Sequence, residues 1–150
     1  IIKTGKTHGY DILAARAQIA LNTPYKSLLV KAQELFENPT HYFTINYWPK
    51  EKYDQGHVPG AYQYTPKKSL SSQTELYTLP IDKKIVTYCY TGQHAAFVTA
   101  YLNILGYDAT ALAYGANSFM NATLKQKKWH AFSPKKIEGY PVVKELVEAE

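Results

Sequence analysis

The sequence predicts an α/β domain built on a mostly parallel sheet. Two observations predict it. "FTINYW", "IVTYC" and "ATALAY" are short runs rich in β-branched, aromatic and apolar residues, as strands require. The segments between them are long enough to cross over, and one, "QHAAFVTAYLNIL", is strongly helical. With 150 residues, 45% hydrophobic and 19% charged, the chain suits one globular domain spanning residues 1–150.

Taken in order, residues 1–9 lack an apolar pattern after Ile2 and read as an N-terminal arm. Residues 10–37 read as N-terminal helices that pack on the domain. The first, "DILAARAQIAL", has Asp11 as a cap. The second starts at a Thr23 cap with Pro24 in the first helical position. It carries Leu28, Leu29, Ala32, Leu35 and Phe36 at helical spacing and stops at Asn38-Pro39. "HYFTINYW" is a strand, "PKEKYDQ" a short helical turn, and "GHVPGAYQY" a Gly/Pro turn into a short strand. "KKIVTYC" is a lysine-flanked apolar run, the pattern of a strand buried in a parallel sheet. "QHAAFVTAYLNIL" is a helix apolar nearly all round, ended by Gly106, and "DATALAYG" is a further strand. Residues 116–139 read as a lysine-rich irregular segment, with a partly helical course left open, and "YPVVKELVEAE" closes the chain.

The net charge of +5 comes almost wholly from lysine, and Arg16 is the only arginine. Nucleic-acid recognition draws on arginine for bidentate contacts, so the lysines read as solvated faces with a mild field for small anions. No apolar stretch approaches the ~18–20 residues that span a bilayer. The chain begins at Ile1 without an export signal, which leaves a cytoplasmic or an exported location open. A single cysteine excludes an intramolecular disulfide. No metal-ligand spacing and no glycine-rich nucleotide motif is present, so no metal and no cofactor is expected.

That cysteine, Cys89, stands where strand residues give way to helix residues, three positions before Gly92. Loops at the carboxyl end of strands in open α/β sheets are where ligands bind. The next helix offers unpaired N–H groups with partial positive charge. Gly92 allows a tight turn in which several amides converge on an anion. Thiols at helix N-termini are acidified, and the thiolate is the nucleophile. On spacing alone, a buried end-of-strand cysteine with an ordinary turn glycine stays equally open.

"VTYCYTGQHAAFVTAYLNILGYDATALAYG" resembles the active-site segment of the rhodanese family: strand, Cys-x-x-Gly-x-Arg loop, helix, Leu-Gly-Tyr, strand, glycine. "YDQGHVPGAYQY" is similar to the family's Tyr-x-x-Gly-His-Ile-Pro-Gly-Ala turn, at Tyr53, Gly56, His57, Val58, Pro59, Gly60 and Ala61. "EGYPV" resembles its closing Gly-x-Pro-Val. The resemblance covers roughly residues 24 to 143. It implies a five-stranded, mostly parallel sheet with helices on both faces. It also implies a single-domain sulfurtransferase that moves a sulfane sulfur from a small anionic donor such as thiosulfate to a thiol or cyanide-like acceptor. Cys89 would be the nucleophile and would carry the persulfide. The amides of Tyr90, Thr91, Gly92, Gln93, His94 and Ala95 would form the cradle, at the base of a shallow pocket with Tyr90 as a wall. His57 is a fold marker that satisfies nearby backbone. Thr91 is either a loop cap or a sulfur contact. A monomer is expected.

Three departures stand out. The loop arginine position is His94; the family's Asp-x-Arg after the first strand reads Asn46-Tyr47-Trp48; and the Gly-Gly and tryptophan after the last strand read "YGANSFM". A guanidinium binds an anion bidentately, and an imidazole is shorter and not permanently charged. His94 at the rim of the cradle would make turnover weak and pH-sensitive, or His94 faces solvent. The alternative function is a non-catalytic rhodanese-like binding or regulatory module. Phosphatases of the same fold have a loop one residue longer that ends in arginine. Cys89 to His94 spans six residues and Ala95 follows, which counts against phosphate chemistry.

Overall fold

The computed structural model describes residues 1–136. Five strands, β1 (Leu29–Val30), β2 (Tyr42–Asn46), β3 (Tyr62–Gln63), β4 (Lys84–Tyr88) and β5 (Ala109–Leu112), form one sheet in the order β1-β5-β4-β2-β3. Every pairing is parallel. The helices are α1 (Gly9–Asn22), α2 (Ala32–Glu37), α3 (Lys50–Tyr53), α4 (Gln93–Leu105) and α5 (Asn117–Lys127). The α/β fold expected from the sequence is the one observed.

β4 is the centre of the sheet, and its side chains alternate between two cores. Val86 and Tyr88 pack with Leu35 of α2 and Leu124 of α5. Ile85 packs with Val98 and Leu102 of α4. Helices therefore bury both faces, and β4 has no polar-out face to show, which explains its unbroken apolar run.

Gly92 and Gly106 bound α4 in the left-handed region, at φ 97° and φ 103°. The end is closed by Gly106 N–H to Asn103 O at 3.0 Å and Tyr107 N–H to Leu102 O at 3.0 Å. Arg16 lies against Gly106, in the space that a Cβ would need. It donates from Nη1 to Leu105 O at 2.8 Å and from Nε and Nη2 to Ile2 O at 3.1 and 3.0 Å. Ile2 N–H completes the clamp on Gly106 O at 2.6 Å. The arm is thus docked: Ile1 N also donates to Ile81 O at 2.7 Å.

Four readings of the sequence are corrected. The second N-terminal helix does not form as one unit: Tyr25–Leu28 is a 3₁₀ turn, Leu29 and Val30 are the edge strand β1, and only α2 is helical. Thr23 ends α1, with its Oγ1 donating to Ile19 O at 2.7 Å, and does not start the next helix. His8, not Asp11, takes the N-cap position of α1, leaving Asp11 in the first turn. The segment 116–139 is helical over α5, and Pro134–Lys136 is a 3₁₀ turn. Phe97 of α4, for its part, is 72% exposed. The closing "EGYPV" resemblance and residues 140–150 lie outside the described residues.

Candidate active-site loop

Cys89 directly follows β4, at the carboxyl end of the central strand, and is buried. The residues 90–92 turn the chain into α4. Gly92 N–H donates to Cys89 Sγ at 3.2 Å. It is the one amide of the loop that does so among the described residues; those of Tyr90, Thr91, Gln93, His94 and Ala95 make no hydrogen bond to the sulfur. On the sulfur itself, Gly92 N–H is the one member of the expected ring of amides that donates. Gly92 O meanwhile accepts from Ala96 N–H at 2.9 Å and starts the helix.

A second glycine holds the loop in shape. Gly115, at φ 55°, passes beneath it. A Cβ on Gly115 would lie 2.9 Å from Gly92 N and against Cys89 O. A Cβ on Gly92 would meet nothing closer than 3.7 Å, so Gly92 is required by its φ alone. Cys89 O and Tyr90 O accept from Ala116 N–H at 2.8 Å and Asn117 N–H at 3.2 Å.

Asn117 knots three segments. Its Nδ2 donates to Tyr90 O at 2.7 Å and His130 O at 3.1 Å, and its Oδ1 accepts from Phe132 N–H at 2.7 Å. Asn121 Nδ2 steadies that oxygen at 2.7 Å. Sequence reading missed Gly115 and Asn117 as loop supports. Their partners are 13 to 27 positions away, so no local pattern shows them.

Tyr90, expected as a pocket wall, lines neither of the two clefts beside the loop. It stacks on the fully buried Trp48, with ring centroids 4.7 Å apart and planes at 12°. Trp129 meets Trp48 edge-on at 6.1 Å, and Lys52 Nζ sits 5.2 Å from the Tyr90 centroid and 5.0 Å from that of Trp129. Burial, and then the charge of Cys89, pushes the Tyr90 hydroxyl up to about 12. Trp48 occupies the last of the three positions where the family carries Asp-x-Arg. Asn46, the first, donates through Nδ2 to Tyr88 Oη at 2.8 Å.

The same Tyr88 Oη accepts from Val58 N–H at 3.0 Å, and so ties β4 to the Gly56–Gly60 turn. His57 has its Nδ1 2.8 Å from Tyr53 O and stacks on the Tyr53 ring, serving the turn rather than the thiol.

His94 is exposed in the first turn of α4 and has no hydrogen bond or ion pair among the described residues. The single arginine is spent at the opposite end of α4. No guanidinium stands near Cys89. Two clefts flank the loop and share Thr91. One, of about 350 Å³, also takes in Gly92 and Gln93. The other, of about 750 Å³, lies against His130 and Phe132. Among the described residues no group of side chains could hold a metal ion, and no helix is long and apolar enough to cross a membrane.

The family model for the Rhodanese-like domain matches residues 31–122. The chain belongs to the rhodanese-like domain family. Solved structures agree in fold. A rhodanese-related protein from Thermoplasma volcanium is 22% identical, with a TM-score of 0.55 over 77% of this chain and 97% of that one. A rhodanese-like domain protein from Staphylococcus aureus is 19% identical, with a TM-score of 0.53 over 61% and 89%. A Rhodopseudomonas palustris protein described as a possible tyrosine phosphatase is 18% identical, with a TM-score of 0.52 over 82% and 96%. A search of the curated proteins finds no match.

Proposed function

We propose that this rhodanese-like domain is a sulfurtransferase that carries a sulfane sulfur on Cys89. The observation that carries the reading is the Gly92 N–H donated to Cys89 Sγ at the head of α4. A backbone donor stabilises sulfur anions without help from any side chain. The six-residue span from Cys89 to His94 supports sulfur rather than phosphate chemistry.

With thiosulfate, the Cys89 thiolate attacks the outer sulfur. The S–S bond of the donor breaks and sulfite leaves with its electron pair. An acceptor thiolate then attacks the outer sulfur of the Cys89 persulfide, and Cys89 leaves as thiolate. The loop backbone holds the charge in both steps, and Gly115 and Asn117 hold the loop.

A second reading, a binding or regulatory module, is favoured by one observation: His94 is exposed and free of contacts where the family has arginine. Incubation with thiosulfate followed by intact-mass spectrometry separates the two. The proposal expects one added sulfur in the wild-type chain and none in Cys89→Ser. An unmodified wild type across thiosulfate and organic donors would leave the binding reading.

A further inference from the structure

The smaller cleft beside the loop points to the kind of molecule that meets Cys89. Tyr25 and Leu29 form one wall, Tyr114 stands at the end of β5, and Thr91, Gly92 and Gln93 form the floor. Gly92 belongs both to this floor and to the donor that holds the sulfur. Cys89 itself is buried and does not line the cleft; Gly92 is the residue that joins the cleft to the sulfur. Its lining includes no lysine, arginine, histidine, aspartate or glutamate. In a chain of net charge +5, a cleft beside the nucleophile without one charged side chain is a choice of environment. The polar side chains that remain, the Tyr25 and Tyr114 phenols, the Thr91 hydroxyl and the Gln93 amide, are neutral. Tyr25 feels the Cys89 charge, which, after burial, raises its hydroxyl above the ordinary value.

We propose that this cleft is a substrate subsite of the Cys89 reaction and that it selects an uncharged organic thiol over a small anion. The inference rests on the sulfur-transfer reading and names its acceptor class. An anion entering here would lose water and find no side-chain cation. An apolar body bearing a thiol would cover Leu29, Ala96 and the tyrosine rings, and a volume of about 350 Å³ suits a small molecule. In the transfer step the neutral thiol gives up its proton as its sulfur attacks the outer persulfide sulfur, and the proton passes to the departing Cys89 sulfur. A new S–S bond forms on the acceptor, the Cys89 S–S bond breaks, and Cys89 keeps the electron pair.

The single cysteine allows a test that does not need sulfur transfer at all. Rates of alkylation by iodoacetamide and by iodoacetate are measured on the full chain, each normalised to a free cysteine peptide. The neutral reagent should be the faster, against the pull of the net positive charge. Ala96→Lys places a cation in the cleft and should move the ratio toward iodoacetate by about fivefold. Tyr25→Lys, on an exposed 3₁₀ turn, should do the same if Ala96→Lys does not fold. Equal normalised rates, or a ratio unmoved by both substitutions, would overturn the subsite. The second arm discharges the persulfide with 2-mercaptoethanol and with 2-mercaptoethanesulfonate, and the neutral thiol should win. If neutral alkylation is preferred and no persulfide ever forms, the sulfur-transfer reading fails while the cleft's selectivity stands. If persulfide discharges equally to both thiols, the inference fails alone.

Discussion

Gly115 lies beneath Gly92 so closely that a methyl group on Gly115 would sit 2.9 Å from the Gly92 nitrogen, the same nitrogen that donates to Cys89 Sγ. The two glycines answer different demands. Gly92→Ala strains φ only and should cost about 1–2 kcal/mol of stability. Gly115→Ala strains φ and also pushes the loop. It should cost more, and Cys89 alkylation and sulfur loading should change with it. Urea denaturation of the two variants checks the order; equal losses would remove Gly115 from the support of the loop.

Tyr88 should prove structural in a way its neighbour Cys89 is not. Tyr88→Phe leaves Asn46 Nδ2 and Val58 N–H buried without their acceptor. The expected loss is about 2–6 kcal/mol, from about 1–3 kcal/mol for each of the two orphaned groups. It should appear as a lower urea midpoint with sulfur loading retained at temperatures where the variant is folded.

Burial pushes the hydroxyls of Tyr88 and Tyr90 up to about 12. In the unfolded chain they ionise near 10. The folded state therefore holds them neutral where the unfolded state does not. That contribution is complete below pH 10 and is lost as pH rises from 10 through about 12. The urea midpoint should fall across that window, and fall less steeply in Tyr88→Phe. A midpoint flat to pH 12 would contradict the burial of these hydroxyls.

Arg16 fastens the arm to the end of α4. Arg16→Met removes three donations to the carbonyls of Ile2 and Leu105. A loss of about 1.5–3 kcal/mol is expected, and the first residues should become sensitive to protease. Deletion of residues 1–22 should lower the melting temperature for the same reason, although no residue of α1 is itself buried.

The sequence displayed the parts of this fold whose cause is local. Gly92 and Gly106 are glycines because the backbone turns left-handed there, and α4 ends where they say it does. β4 showed itself as an unbroken apolar run because helices cover both of its faces. β1 did not: it is two residues long, and Leu28 keeps helical spacing with Leu35 and Leu29 with Phe36, so pattern alone favours a helix. What makes Leu29 a strand residue is its pairing with Ala111, 82 positions on. The stack of Trp48 on Tyr90 and the Asn117 knot are hidden for the same reason. The cysteine and its glycine were visible; the segments that steady them are supplied by the tertiary fold.

His94→Arg should show what the missing guanidinium does. It places a permanent charge at the end of the loop, and sulfur loading from thiosulfate should rise about tenfold or more. No change would mean that the exposed position of His94 is out of reach of the donor.

The most direct measurement follows the mass of the intact chain through one cycle. The protein is treated with a sulfane-sulfur donor, then with an uncharged thiol. The account predicts one sulfur gained and then lost by the wild-type chain, and no gain by Cys89→Ser. A wild-type mass that stays constant while Cys89 remains open to iodoacetamide, or a sulfur gained by Cys89→Ser, would contradict it.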